Sequence, residues 1–156
     1  MSKAQEEIVV EKEIKYHLKI AAIEKAINGN CIGATYQEKD TDAYRWTFED
    51  ISDERNFRPR ALDSQNPQQE KTAKKCTGWS LSFFDSQKNA IEKLNYYCAD
   101  KPNFYKKLGT HVAKGKIEKT DGKSGDINTS GHFEHFEYKD VDFSKKFKVE
   151  FKIYNE

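Results

Sequence analysis

From position 147 to 153 the chain alternates: Phe147, Val149, Phe151 and Ile153 are separated by Lys148, Glu150 and Lys152. A two-residue period suits a β-strand with one buried and one wet face, and a helix cannot use it. A strand wet on one side belongs in an antiparallel sheet, because parallel strands are covered on both faces. The segment 146–154 therefore sets the class against which the other segments are read. Residues 31–37 and 43–49 are rich in β-formers around the polar turn 38–42, which predicts two strands paired as a hairpin. Further strands are expected at 79–84, 110–119 and 131–138.

Helical spacing appears twice. Over 4–28, Ile8, Val9, Ile14, Leu18, Ile23 and Ile27 recur mostly at steps of three and four, with Gly29 placed to take a left-handed cap. Over 87–98, Ala90, Ile91, Leu94 and Tyr97 form the inward stripe behind a cap at Asp85-Ser86, and a short helical turn follows through Phe104 and Leu108. Strands that follow one another without crossover helices predict an α+β fold: a mainly antiparallel sheet of about five to six strands, with a long N-terminal helix and a central helix packed on it.

A mean hydropathy of −0.96 and a hydrophobic fraction of 36% point first to disorder. Ten Phe, eight Tyr and two Trp point the other way, to a small aromatic core under a charged surface. At 156 residues the chain suits one domain over its whole length. The polar stretch 63–75, inside a long irregular segment 50–76, is expected to be a mobile loop.

Charge excludes some functions. A net charge of +1 disfavours nucleic-acid binding, which usually needs a basic excess. There is no apolar run of membrane length and no signal-peptide pattern, so no membrane partner is expected. Three cysteines, Cys31, Cys76 and Cys98, with no C-x-x-C pair favour free thiols, no disulfide and a reducing cytoplasmic setting. Cys76, behind Lys74 and Lys75, is the most reactive thiol expected. The Lys-rich, Arg-poor composition is like that of AT-rich bacterial genomes.

All four arginines, Arg45, Arg55, Arg58 and Arg60, fall between positions 45 and 60. A chain that otherwise uses lysine keeps arginine where a planar fork matters, so Arg55, Arg58 and Arg60 are candidate anion-binding residues. The bland reading is that Asp50, Asp53 and Glu54 neutralise them and brace the loop. Tyr44, Trp46 and Phe48 share one face of their strand, expected to be buried, which leaves Arg45 on the other. His132 and His135 are three apart, on opposite faces of a strand, so no metal site is expected. His135 shares a face with Glu137, a pair suited to acid–base work or to a structural hydrogen bond.

Three segments, YRWTF, WSLSFF and HFEHFEY, follow one another in an order that resembles the ADP-ribosyltransferases that use an Arg, a Ser-Thr-Ser strand and a catalytic Glu. That resemblance implies NAD as cofactor. It gives Arg45, Ser80 and Ser82 the role of holding NAD, and Glu137 or Glu134 that of orienting the ribose. Leu81 stands where that family has the middle Thr, and His135 where it has the first residue of its Glu-x-Glu or Gln-x-Glu pair.

The leading expectation is a small cytosolic protein-interaction module without a cofactor, acting on another protein through its N-terminal helix or arginine loop. The alternative is a nucleotide-using enzyme with Arg45, Ser80, Ser82, His135 and Glu137 as its catalytic set. A nucleic-acid binder stacking bases on Trp46 or Trp79 comes third. The last strand, if it lies at a sheet edge, offers a route to a homodimer or to strand addition by a partner.

Overall fold

In the computed structural model, which describes residues 12–155, one antiparallel sheet organises the chain. Its strands are β1 (Thr41–Thr47), β2 (Leu81–Phe84), β3 (His111–Ile117), β4 (Gly122–Ser124), β5 (His132–Glu137) and β6 (Phe147–Lys152), in the order β4-β5-β2-β1-β3-β6. The helices are α1 (His17–Ile27), α2 (Gln69–Thr72), α3 (Gln87–Asp100) and α4 (Tyr105–Leu108). The α+β class and the antiparallel sheet agree with the sequence reading.

One face of the sheet carries helices. Trp79, Phe136, Ile20 and Ile23 pack α1 against the β5 side, while Phe84, Ala90 and Val112 seat α3 over β1 and β2. The opposite face is covered by loops: Leu81, Phe83, Phe133, Phe143 and Phe147 form its core, and Phe57 closes over it from the segment after β1. Gly115 permits this packing, since a Cβ there would meet the Phe147 ring at 2.5 Å. Ser86 caps α3 as expected, its Oγ accepting from Asn89 N at 3.0 Å.

Several expectations are corrected. The N-terminal helix begins at His17, because Ile14 is bridged to Tyr138 and Lys15 N donates to Glu137 O, which holds this stretch extended. The part expected over 1–11, including Ile8 and Val9, lies outside the described residues. Asn28, not Gly29, takes the left-handed cap at φ 54°. Residues 31–37 form no strand and no hairpin: Gln37 makes one isolated bridge to Ser124, and β1 instead pairs with β2 and β3. Apart from these corrections, the stretch 63–75 includes the helical turn α2, and the buried Asn66 donates from Nδ2 to Thr72 Oγ1 at 3.1 Å. In β6 the alternation is only half used, since Phe147 is buried but Phe151 is 43% exposed at the sheet edge.

The expected absence of a disulfide is also overturned: Cys31 and Cys76 are joined, across 45 residues of sequence. Cys98 is the free thiol, and it is buried. The bridge lies in the apolar cluster under α1 and fixes the end of the irregular segment just before β2. The reading of Cys76 as a reactive thiol falls with it. Reduction, or a Cys31→Ser/Cys76→Ser double substitution, should cost about 4 kcal/mol by the loop-closure entropy of a segment this long. Chemical denaturation with and without reductant measures that loss. Thiol titration of the oxidised, unfolded protein should find only the Cys98 thiol.

Candidate arginine-lined cleft

Strands β1 and β2 are paired only at Tyr44 and Phe84, and beyond that point they part. The guanidinium of Arg45 fills the opening: Nη1 donates to Ser82 O and Nε to Asn56 O, each at 2.7 Å. It lies over the rings of Phe83 and Phe57, 5.6 and 5.8 Å from their centroids. Pairing register puts Arg45 opposite Ala113 on the loop-covered face, the face away from Tyr44 and Trp46 that the alternation gave it. Both faces of β1 are used, with Ala43 and Thr47 buried beside it and Tyr44 and Trp46 half-buried under α3. Burial pulls the Arg45 pKa down to about 10, against the opposing charges of Glu137 and Glu134.

Asn56 builds the turn that meets Arg45. Its side-chain oxygen accepts from Phe48 N at 2.7 Å, and its amide donates to Asp50 O and Ile51 O. The arginines that follow are thereby carried along one wall of a cleft of about 570 Å³. Arg45, Arg55, Arg58 and Arg60 all line it, with Lys106 and Lys107 of α4 across the opening. Among the described residues its sole lining carboxylate is Asp63. Asp63 is shared by Arg58 and Arg60, each at 3.4 Å, which is long for an ion pair. Arg55 is held by Asp53 at 2.7 Å and lies 3.6 Å from the centre of the Phe48 ring. The bracing expected of the acidic residues thus holds for Arg55 through Asp53, while Asp50 caps Ser52 instead.

Ser80, just before β2, and Ser82, on it, line the same cleft. Glu134 is opposite Ser82 in the β2–β5 register and gathers both hydroxyls. Ser80 Oγ donates to Glu134 Oε2 and is 2.9 Å from Thr77 O, and Ser82 Oγ reaches Glu134 Oε1 at 3.3 Å. His132 Nε2 lies 3.3 Å from Oε1. Burial lowers the His132 pKa, even though Glu134 pulls it up. Gly78, whose Cβ would run into the Thr72 carbonyl, lets the turn before β2 close against α2.

The other two members of the sequence-derived set are elsewhere. His135 and Glu137 share the loop-covered face, as the spacing required, but no hydrogen bond joins them among the described residues. His135 is fully buried, with Nδ1 at 2.8 Å from Ser124 Oγ and Nε2 at 3.4 Å from Asp121 O. Glu137 is buried against Lys15 at 3.1 Å. Neither lines the cleft. Lys106 and Lys107 escaped the sequence reading, because a pair of lysines in a lysine-rich chain carries no signal until the fold places it. Trp79 is buried and spends its Nε1–H on Ala73 O, so it offers no face for stacking. Among the described residues no group of His, Cys, Asp or Glu is placed to hold a metal, and no helix is long and apolar enough to cross a membrane.

No protein-family model matches the sequence, and comparison with curated proteins and with solved structures yields no match.

Burial holds the His135 pKa down at about 4, below its ordinary 6.5. The unfolded chain then binds the extra proton between those values. His135 therefore contributes stability that is complete above pH 6.5 and is lost as the pH falls toward 4, by about 3 kcal/mol. Denaturation midpoints across that range should show the loss in the wild type and a flatter profile in His135→Gln.

Proposed function

We propose that this protein is a small binding module whose working surface is the arginine-lined cleft, and that its partner presents a phosphate or a similarly dense anionic group there. The observation that carries the reading is the convergence of Arg45, Arg55, Arg58, Arg60, Lys106 and Lys107 on one concave site whose only lining carboxylate among the described residues is Asp63. Arg58 and Arg60 are half-buried, so their forks are largely positioned before a ligand arrives. A single carboxylate between two arginines leaves a surplus positive charge, and two lysines at the opening add to it. Phosphate is the anion whose charge and bidentate geometry suit such a set.

A nucleotide-using enzyme, with NAD as the first candidate, is the second reading. It is favoured by Ser80 and Ser82, which line the same cleft, and by Glu134 behind them. Under that reading Glu134, not Glu137, is the carboxylate available, and His135 has no part. Arg45 is already committed to two carbonyl groups, which argues for positioning over ligand contact. Base stacking, which a nucleic-acid binder requires, finds little support where Trp79 is buried. The cytoplasmic placement rested on free thiols. A bridged Cys31–Cys76 pair is better matched to an oxidising compartment.

Thermal denaturation in inorganic pyrophosphate, sulfate, ADP-ribose and NAD tests the reading. A ligand at about a hundredfold its Kd should stabilise by about 2.7 kcal/mol, which for a chain this size is a rise of roughly 5–10 °C. Pyrophosphate should raise the melting temperature and Arg58→Gln/Arg60→Gln should remove the rise. A rise with NAD or ADP-ribose well above that with pyrophosphate would favour the enzyme. No response to any anion, or an unchanged response in the double variant, would contradict the proposal.

A further inference from the structure

The Cys31–Cys76 bridge is built into the walls of the arginine cleft. Cys31, Ala61 and Trp79 are buried in one apolar cluster, and Cys76 packs against it. Ala61 lies between Arg60 and Leu62 in a single helical turn, with Arg58 and Asp63 just outside that turn. The segment that carries the paired arginines and their carboxylate is therefore seated on the bridge's own cluster. Cys76 opens the turn Cys76–Trp79, and Thr77 of that turn and Ser80 after it also line the cleft. Gln69 of α2 donates to Ala61 O at 3.1 Å, and Trp79 Nε1–H donates to Ala73 O at 3.0 Å. On the other side of the bridge, Cys31 N donates to Glu24 Oε2 of α1 at 3.0 Å. The bridge is thus a covalent tie from the end of α1 to both turns. The ion pairs of Arg58 and Arg60 with Asp63, long at 3.4 Å and partly open to water, are too weak to hold the two forks by themselves.

We propose that the bridge is a redox switch for the cleft: with Cys31 and Cys76 joined, the walls are ordered and bind the anion, and reduction to two thiols loosens both turns and weakens binding. The proposal rests on the anion-binding reading above. A dithiol supplies the two electrons. Its thiolate attacks the sulfur of Cys76, the more exposed of the pair, the S–S bond breaks, and Cys31 leaves as a thiolate that takes up a proton. The second thiol of the reductant then displaces Cys76, which also leaves as a thiolate and is protonated, and the reductant departs as its own disulfide. The fold outlasts this step, because the apolar clusters around Phe83 and around Phe84 contain neither cysteine. Reduction returns conformational freedom to the segment between β1 and β2, and ordering it again on binding costs affinity.

Isothermal titration of the full chain with pyrophosphate, oxidised and then reduced with dithiothreitol, tests the switch. Reduction should weaken binding by about tenfold, and Cys31→Ser/Cys76→Ser should match the reduced form without reductant. Linkage requires the converse in the wild type: saturating pyrophosphate should raise the ratio of dithiol to disulfide needed for half-reduction by the same factor. That arm depends on no variant. In the absence of ligand, reduction should speed amide hydrogen exchange at 58–66 and 76–80 and leave β3 and α3 unchanged. Equal affinity in the two forms would overturn the switch. So would exchange that rises through the whole sheet, which would make the bridge a stability element alone. If the oxidised chain does not bind pyrophosphate, the anion-binding reading falls, while localised exchange still supports, and uniform exchange still rejects, control of the cleft walls by the bridge.

Discussion

One hydrogen bond of the Arg45 guanidinium bridges a sheet that its own backbone leaves open, and its second ties the following loop to the same point. Where β1 and β2 separate past Tyr44 and Phe84, Ser82 O faces a gap, and Arg45 donates into it while a second donor fixes Asn56 O. A lysine cannot do this, since its single ammonium lacks the planar fork that reaches both carbonyls. The strand arginine thus serves as a strut, and the opening it spans becomes the floor of the cleft. The loop that Asn56 anchors then has to cross that opening, which is why the remaining arginines are gathered at one place.

The same loop divides its charges between two sides. In DISDERNFRPR the signs are interleaved in sequence, but the turn around Asn56 sends Asp53 and Glu54 toward a smaller cavity at Glu137 and Arg55, Arg58 and Arg60 toward the cleft. A chain of net charge +1 thereby carries one concentrated positive site and one acidic cavity, with Phe57 between them against the core. The Cys31–Cys76 bridge secures the far end of this loop, so both ends are fixed before any ligand arrives.

Where local pattern decides structure, the sequence was legible. The alternation around Phe83, Phe133 and Phe147 places strands, and Ser86 announces α3. The pattern fails where partners are remote. Gly122–Ser124 has no apolar run and is a strand only because β5 lies beside it. Residues 31–37 have β-formers but no neighbour to pair with along their length. The Cys31–Cys76 pair is invisible because spacing does not encode a bridge across 45 residues. At the site, clustering of arginine in a lysine-rich chain was a usable signal, and so was the Ser-x-Ser strand. Spacing put Glu137 on the face of His135 and Glu134 on the other, but which of those faces meets the cleft is set only by the register of β5 against β2, which places Glu134 opposite Ser82.

The division of labour between a structural Arg45 and a binding pair Arg58/Arg60 is open to one direct measurement, the stability of Arg45→Lys by chemical denaturation with pyrophosphate binding followed on the same sample. Loss of one or both carbonyl bonds should cost about 2 kcal/mol or more, with pyrophosphate still bound by the folded variant. A variant as stable as the wild type that no longer binds the anion would make Arg45 a ligand residue and contradict the strut.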